Sequence, residues 1–321
     1  MEVRRLGRSG LRVSELALGT ATWGQRTDPD IAAAQLRSFL AAGGTTVHFG
    51  GESGARAHHI VGTLLAGAVR RTDLVLVAGG VSAAADGGAR PDASRGGLLD
   101  QIDAALRRLG TDHVDLWLLS PDAEVPFEES LAALDSAVST GRVRYLALAD
   151  DSGWRVARAA TWQAAVPARA PVVGVSVAYS LLDRGPEVEL VPATQAASAG
   201  VLAHSALGGG LLSGKYRDGL PADSRAASGL GRLAAGADDL HAAGIVEAVA
   251  TAAEGLGTTP VAVALGWLRR RPGVASVVAG ARTPAQLSTA LSALTVTVPA
   301  EILDALDEVS QPDRPRAAVT L

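Results

Sequence analysis

Two histidines give the first sign of chemistry in this chain. His48 and His204 each close a short β-branched run, and Glu52, Asp122, Asp150 and Asp151 lie just past the ends of similar runs. An imidazole titrates near neutrality, so a histidine beside a carboxylate can orient water or abstract a proton. A lone histidine on a strand is more often a hydrogen-bonded core residue than a catalyst. The second feature is Gly208-Gly-Gly-Leu-Leu-Ser-Gly-Lys215, whose backbone N–H groups and single ammonium could hold a pyrophosphate. The same glycines could form an ordinary turn. Arg282 and Thr283 could meet a further phosphate, with Gln286 close by. No metal is expected. The chain has no cysteine, and His58 and His59 are adjacent on a helical stretch and cannot share a face. A zinc site from His48, His58 and His204 lacks the helix-spaced histidine pair that would support it.

These residues need a scaffold that brings strand ends together. Eight apolar runs read as strands: Leu16–Leu18, Thr46–His48, Leu74–Ala78, Val114–Leu119, Tyr145–Ala149, Val172–Ser176, Val201–His204 and Val274–Val278. They are apolar throughout, as in a parallel sheet buried on both faces. Stretches with 3.6-residue apolar spacing alternate with them: Ile31–Ala42, Arg56–Leu65, Leu98–Leu109, Phe127–Ser139, Val156–Ala165 and Leu240–Leu256. Eight alternations predict one (β/α)8 barrel over residues 1–321, with active residues at the C-terminal strand ends. An open doubly wound sheet is the competing arrangement, but no G-x-G-x-x-G turn follows the first strand. Val3–Ser14 reads as a hairpin turning at Gly7 to Gly10, which would plug the N-terminal end. Ser82–Ser94 and Gly208–Asp238 read as long loops on the C-terminal face. Trp23 is expected at the pocket, Trp117 and Trp267 in the core, His113 and His241 on the surface, and Arg269-Arg-Arg271 as a solvated helix end.

Composition narrows the function. A net charge of −4 over 321 residues provides no basic field for nucleic acid or anionic lipid. No run is apolar enough to span a membrane, and no leader is visible at the start, so a cytoplasmic location is expected. The expected partner is a small-molecule ligand; a protein partner also remains open.

Several stretches resemble the aldo-keto reductase family. They are Leu6–Ser14, Leu18–Gly24, Gly141–Tyr145, Tyr179–Arg184, Leu207–Tyr216 and Gly280–Leu287, in the family's order. The resemblance implies NADPH-dependent carbonyl reduction by an Asp, a Tyr, a Lys and a His at strand ends. A lysine ammonium there makes the tyrosine a usable acid. This chain departs at each position. The Asp falls on His48, the Tyr on Ser53 or Glu52, the Lys on Gly79 and the His on Ser120. The nicotinamide contacts fall on Ala149, Asp150 and Ser176, and the stacking aromatic on His204. The phosphate end is closer to pattern. There the resemblance implies NADP(H) contacts at Ser205, Leu207, Gly209, Lys215, Gly280, Arg282, Thr283 and Gln286, although Thr289 and Ala290 replace expected adenine contacts.

Three readings follow. The first is a family member with lost or strongly altered reductase activity, with NADP(H) or no cofactor. The second is a cofactor-independent lyase, isomerase or cyclase using His48, His204 and Asp150, with Ser120 also at the site. The third is a non-catalytic binding or scaffold protein.

Overall fold

A computed structural model describes residues 1–50, 54–79, 92–149, 152–216 and 240–312. Glu52, Ser53, Asp150 and Asp151 lie outside the described residues, as do most of Ser82–Ser94 and of Gly208–Asp238.

The chain opens with two short strands, β1 (Val3–Arg5) and β2 (Arg12–Ser14), paired antiparallel. Eight parallel strands follow: β3 (Leu16–Gly19), β4 (Thr46–His48), β5 (Val75–Gly79), β6 (Val114–Leu119), β7 (Val143–Ala149), β8 (Val172–Ala178), β9 (Gly200–His204) and β10 (Val274–Gly280). They form one closed barrel in sequence order, with β10 pairing back onto β3. Each expected strand is present, and most run one or two residues beyond their expected ends. Around the barrel lie helices α1 (Pro29–Ala41), α2 (Gly54–Leu65), α3 (Arg95–Leu109), α4 (Phe127–Ser139), α5 (Gly153–Ala164), α6 (Leu190–Ala196), α7 (Leu240–Gly255), α8 (Pro260–Arg269), α9 (Pro284–Ser292) and α10 (Ala300–Val309).

Local chemistry sets the helix starts. Asp28-Pro29, Thr259-Pro260 and Thr283-Pro284 each place a capping oxygen before a proline that needs no N–H donor. Ser94 caps α3 by accepting from Gly97 N, and Gly110 ends that helix in the left-handed conformation. All residues from Val261 to Leu268 of α8 are buried. Among the described residues, no single helix is long and apolar enough to cross a membrane.

The hairpin plugs the N-terminal end of the bore, as the sequence implies. Leu6, Leu11 and Val13 pack against the inward residues Leu116, Leu118, Ala147, Leu202 and Ala275. Leu6 is fully buried and lies against the Gly174 and Gly200 backbones, where a side chain on either glycine would strike it. Arg269 Nη2 donates to Glu15 Oε2 at 2.5 Å, and Arg4 Nη1 donates to the Arg269 carbonyl, so the plug is also bound by charge.

Two surface expectations need correction. Arg269-Arg-Arg271 is not a solvated run: Arg269 binds Glu15, and Arg271 makes a two-pronged contact with Asp307 of α10. Both partners are distant in sequence, so helix position alone could not reveal them. Trp23 does not line a pocket. It is fully buried, and its Nε1 donates to Gln35 of α1.

Candidate functional site

Register decides which side chains reach the bore. Gly19 pairs with His48, Gly79 with Leu118, Ala149 with Ser176, and Ala178 with His204. Side chains alternate along a strand, and directly paired residues share a face. His48, Ser176 and His204 therefore all point inward near the C-terminal ends. β4 and β8 stand four places apart in the eight-stranded barrel, so His48 and Ser176 face each other across the bore. His48 Nε2 and Ser176 Oγ are 3.0 Å apart and hydrogen-bonded. The two residues are 7% and 2% exposed. Gly50 packs against the Nδ1 edge of the ring; a side chain there would lie 3.4 Å from Nδ1.

Among the described residues, mostly small groups stand near this pair at the C-terminal end of the bore. Gly79, Ser120, Ala178 and His204 are half-exposed and Gly280 is exposed. Among the described residues they line a recess at the C-terminal mouth of the bore, beside the His48–Ser176 hydrogen bond. His204 Nδ1 lies 3.1 Å from Ser205 Oγ, and Ser205 has a positive φ of 56°, uncommon for a side-chain-bearing residue. A separate concavity of about 280 Å³ opens beside Ala178, lined by Ser152, Asp183 and Glu189 among others. Glu189 Oε1 accepts from Trp154 N at 2.7 Å and so occupies the N-terminus of α5.

No tyrosine is set up as a proton donor in the recess. Tyr145 lies at the plugged end, its hydroxyl near Gly10. Tyr179 is buried and donates to Glu187 at 2.7 Å; burial, then the Glu187 contact, push its acidity well below that of free tyrosine. Tyr216 has the Lys215 ammonium over its ring face, 4.8 Å from the centroid. Lys215 is the only lysine in the chain. Gly79 cannot host another without strain. Its φ is +86°, and a Cβ there would lie 2.5 Å from the Leu118 carbonyl.

The phosphate-end candidates fall on two local structures, the turn after β9 and the start of α9. Gly208, Gly209 and Gly210 have φ values of 53°, 67° and 104°, a succession only glycine adopts readily. Lys215 folds back so that a Cβ on Gly210 would lie 2.9 Å from its Nζ. Leu207 starts this turn. Across β10, Thr283 Oγ1 accepts from Gln286 N while Gln286 Oε1 accepts from Arg282 N, fixing the start of α9 beside Gly280. Backbone, Lys215 and Arg282 together suit a nucleotide's phosphates. The nicotinamide end fits poorly. Ala149 has no amide to clamp a carboxamide, and the Ser176 hydroxyl is engaged with His48.

The three-histidine metal site is not formed. His58 packs edge-on against Phe49, with ring centroids 4.4 Å apart, and both its ring nitrogens are buried without a hydrogen-bond partner. Burial, then the Arg108 charge, lower its pKa from 6.5 to about 4, so it is neutral at pH 7. Among the described residues, no cluster of three His, Asp or Glu side chains is placed to hold a metal. The Ser176 contact escaped the sequence reading, which placed that residue only as a nicotinamide position. A serine at an inward position of a valine-rich strand, with an inward histidine on the opposite strand, was the available signal.

Comparison with known proteins agrees with this architecture. The Aldo/keto reductase family model matches residues 15–311. "Uncharacterized oxidoreductase YrpG" of Bacillus subtilis is 31% identical over 96% of this chain and 96% of its own length. "Probable voltage-gated potassium channel subunit beta" of rice is 30% identical over 97% of each chain. "Protein tas" of Escherichia coli is 30% identical over 97% of this chain and 98% of its own. With a family match over most of its length and relatives aligned from end to end, this chain belongs to the aldo/keto reductase family.

Proposed function

We propose that this chain keeps the phosphate-binding half of a nucleotide site and has lost carbonyl reduction by the family's acid. The observation that carries this reading is Gly79. The backbone at the expected lysine position leaves no room for a side chain, and the chain's one lysine lies on the loop after β9. Without a phenol and an ammonium at the ends of β4 and β5, proton delivery to a carbonyl oxygen at pH 7 loses its driving force. Loss of that acid together with the carboxamide clamp removes several orders of magnitude of rate. Gly209, Lys215, Arg282 and the α9 N-terminus would hold NADP(H), which when bound supplies a hydride. Ser205, Leu207, Gly280, Thr283 and Gln286 would support that cradle, and a small-molecule ligand would enter the recess by Ser120 and His204.

The test is a fluorescence titration with NADPH followed by assays with aldehyde probes. Saturable micromolar binding that weakens in Arg282→Ala, without aldehyde turnover above a no-enzyme control, is the expected result. Aldehyde reduction that depends on Arg282 would refute the loss of activity. Absence of binding at millimolar nucleotide would refute the cradle.

A second reading, a binding subunit, is favoured by α5. Trp154 is 53% exposed and Trp162 is 36% exposed on the outward face of that helix. Exposed tryptophans of this kind mark contact surfaces more than cores. The rice relative is named as a channel subunit.

A further inference from the structure

The hydrogen bond across the bore calls for an explanation beyond stability. A buried polar pair gains little net free energy over a well-packed apolar pair, because each group first loses its water. The inward residues around it, Ala149, Leu118 and Leu202, show that the bore accepts apolar side chains. His48 and Ser176 instead place a hydroxyl within hydrogen-bond reach of an imidazole nitrogen, the relation a serine nucleophile needs to its base. The direction of the contact also matters. Nε2 is committed to Ser176, so the group through which His48 would act on a ligand is the Ser176 hydroxyl. When Nε2 carries no proton, that hydroxyl donates to it.

We propose that Ser176, with His48 as its base, is a nucleophile that accepts short acyl groups from esters entering the recess. This site does not depend on nucleotide binding and stands apart from the reading of the phosphate cradle. Ser176 Oγ bonds to the acyl carbon as its proton passes to His48 Nε2. The C–O bond to the leaving alcohol then breaks, and the alcohol takes that proton. Water attacks the acyl-serine with His48 again accepting a proton, the acid leaves, and Ser176 regains its hydrogen. The net reaction is ester plus water to acid plus alcohol. The acyl group is short because Ser176 is only 2% exposed. Among the described residues, the rim positions Gly79, Ala178 and Gly280 carry little or no side chain that would meet a small planar ester. His204 stands two residues above Ser176 in the neighbouring strand's register and is the imidazole the rim offers to the acyl oxygen.

The experiment treats the full-length protein with p-nitrophenyl acetate, follows nitrophenolate release, and maps acetylation by peptide mass spectrometry after a rapid quench. The expected result is a burst of release with acetyl on Ser176. Ser176→Ala removes the adduct, and His48→Gln lowers the rate at least 100-fold. Ser276→Ala, which alters a buried serine on β10 that has no hydrogen-bond partner, leaves both unchanged. Circular dichroism checks that the variants fold, and the wild-type adduct map is informative without them. Acetylation confined to Lys215, the N-terminus or surface histidines would overturn the proposal. So would a rate unchanged in folded Ser176→Ala; the pair would then be a strut across the bore. NADPH binding is read separately, so failure here leaves the nucleotide cradle untouched.

Discussion

His58 allows a quantitative test of the packing around β4. Its imidazole lies between Phe49 and α3, where neither ring nitrogen finds a partner, and its pKa falls from 6.5 to about 4. The folded state thus binds the His58 proton less readily than the unfolded state. The stability associated with this group is fully present above pH 6.5 and is lost as pH falls toward 4. A depression of this size corresponds to about 3 kcal/mol, most of it gone by pH 4.5. Arg108 acts in the same direction as burial, since a nearby cation opposes the imidazolium. His58→Leu keeps a buried side chain of similar size and removes both orphaned nitrogens. At pH 7.5 it should equal or exceed the wild type in stability, because each unsatisfied buried polar group costs about 1–3 kcal/mol. Urea unfolding of both proteins at pH 7.5, 6.0 and 4.5 isolates the effect, because carboxylate titrations are common to the two. The gap in unfolding free energy should widen by about 2–3 kcal/mol toward pH 4.5 in favour of the leucine variant. His59→Leu, on the exposed side of the same helix, should leave the wild-type profile unchanged. Parallel acid profiles for wild type and His58→Leu would show that His58 is solvated or hydrogen-bonded, and the reasoning would fail.

Two further perturbations probe elements that shape the site. Gly79→Ala introduces a Cβ at a φ of +86° and against the Leu118 carbonyl, and should destabilise the fold by about 1–3 kcal/mol in urea titration; a neutral result would mean that β5 can relax enough to carry a side chain. Asp307 receives Trp267 Nε1 at 2.8 Å and both terminal nitrogens of Arg271, so Asp307→Ala should cost about 2–3 kcal/mol by the same measurement, somewhat less than a fully buried pair. Asp307→Asn should recover part of that loss, because an amide oxygen can still accept from Trp267.

The barrel was legible in the sequence because parallel strands covered on both faces appear as unbroken apolar runs, and the eight runs are short and separated by stretches long enough to hold a helix. The hairpin was legible from Gly7 and Gly10. The cross-bore pair was not, because it depends on the register of two strands 128 positions apart in sequence. His58 was read correctly as unable to share a face with His59, but its burial depends on how α2 packs against α3 and β4. Trp23 was misplaced for a similar reason: the Gly19–Gly24 stretch showed only that it followed β3, while Gln35 of α1 provides its buried partner. The arginines at 269 and 271 looked solvated because their acidic partners, Glu15 and Asp307, come from opposite ends of the chain. The reading passed over the short α6, which has only seven residues, and the terminal α10, although Leu303, Leu306 and Val309 recur there at helical spacing.

The plug at the bottom of the barrel also constrains how the chain is made. Leu6 and Leu11 are synthesised well before Ala275 of the last barrel strand, yet they pack beside it. At synthesis rates of about 5–20 residues per second, the roughly 260 intervening residues take ~13–50 s to emerge. Over that interval the nascent hairpin has no closed bore to enter, and its apolar side chains are available to chaperones or to other nascent chains. Closure of β10 onto β3 ends the exposure in one event, so the last strand synthesised determines when the first becomes safe from aggregation.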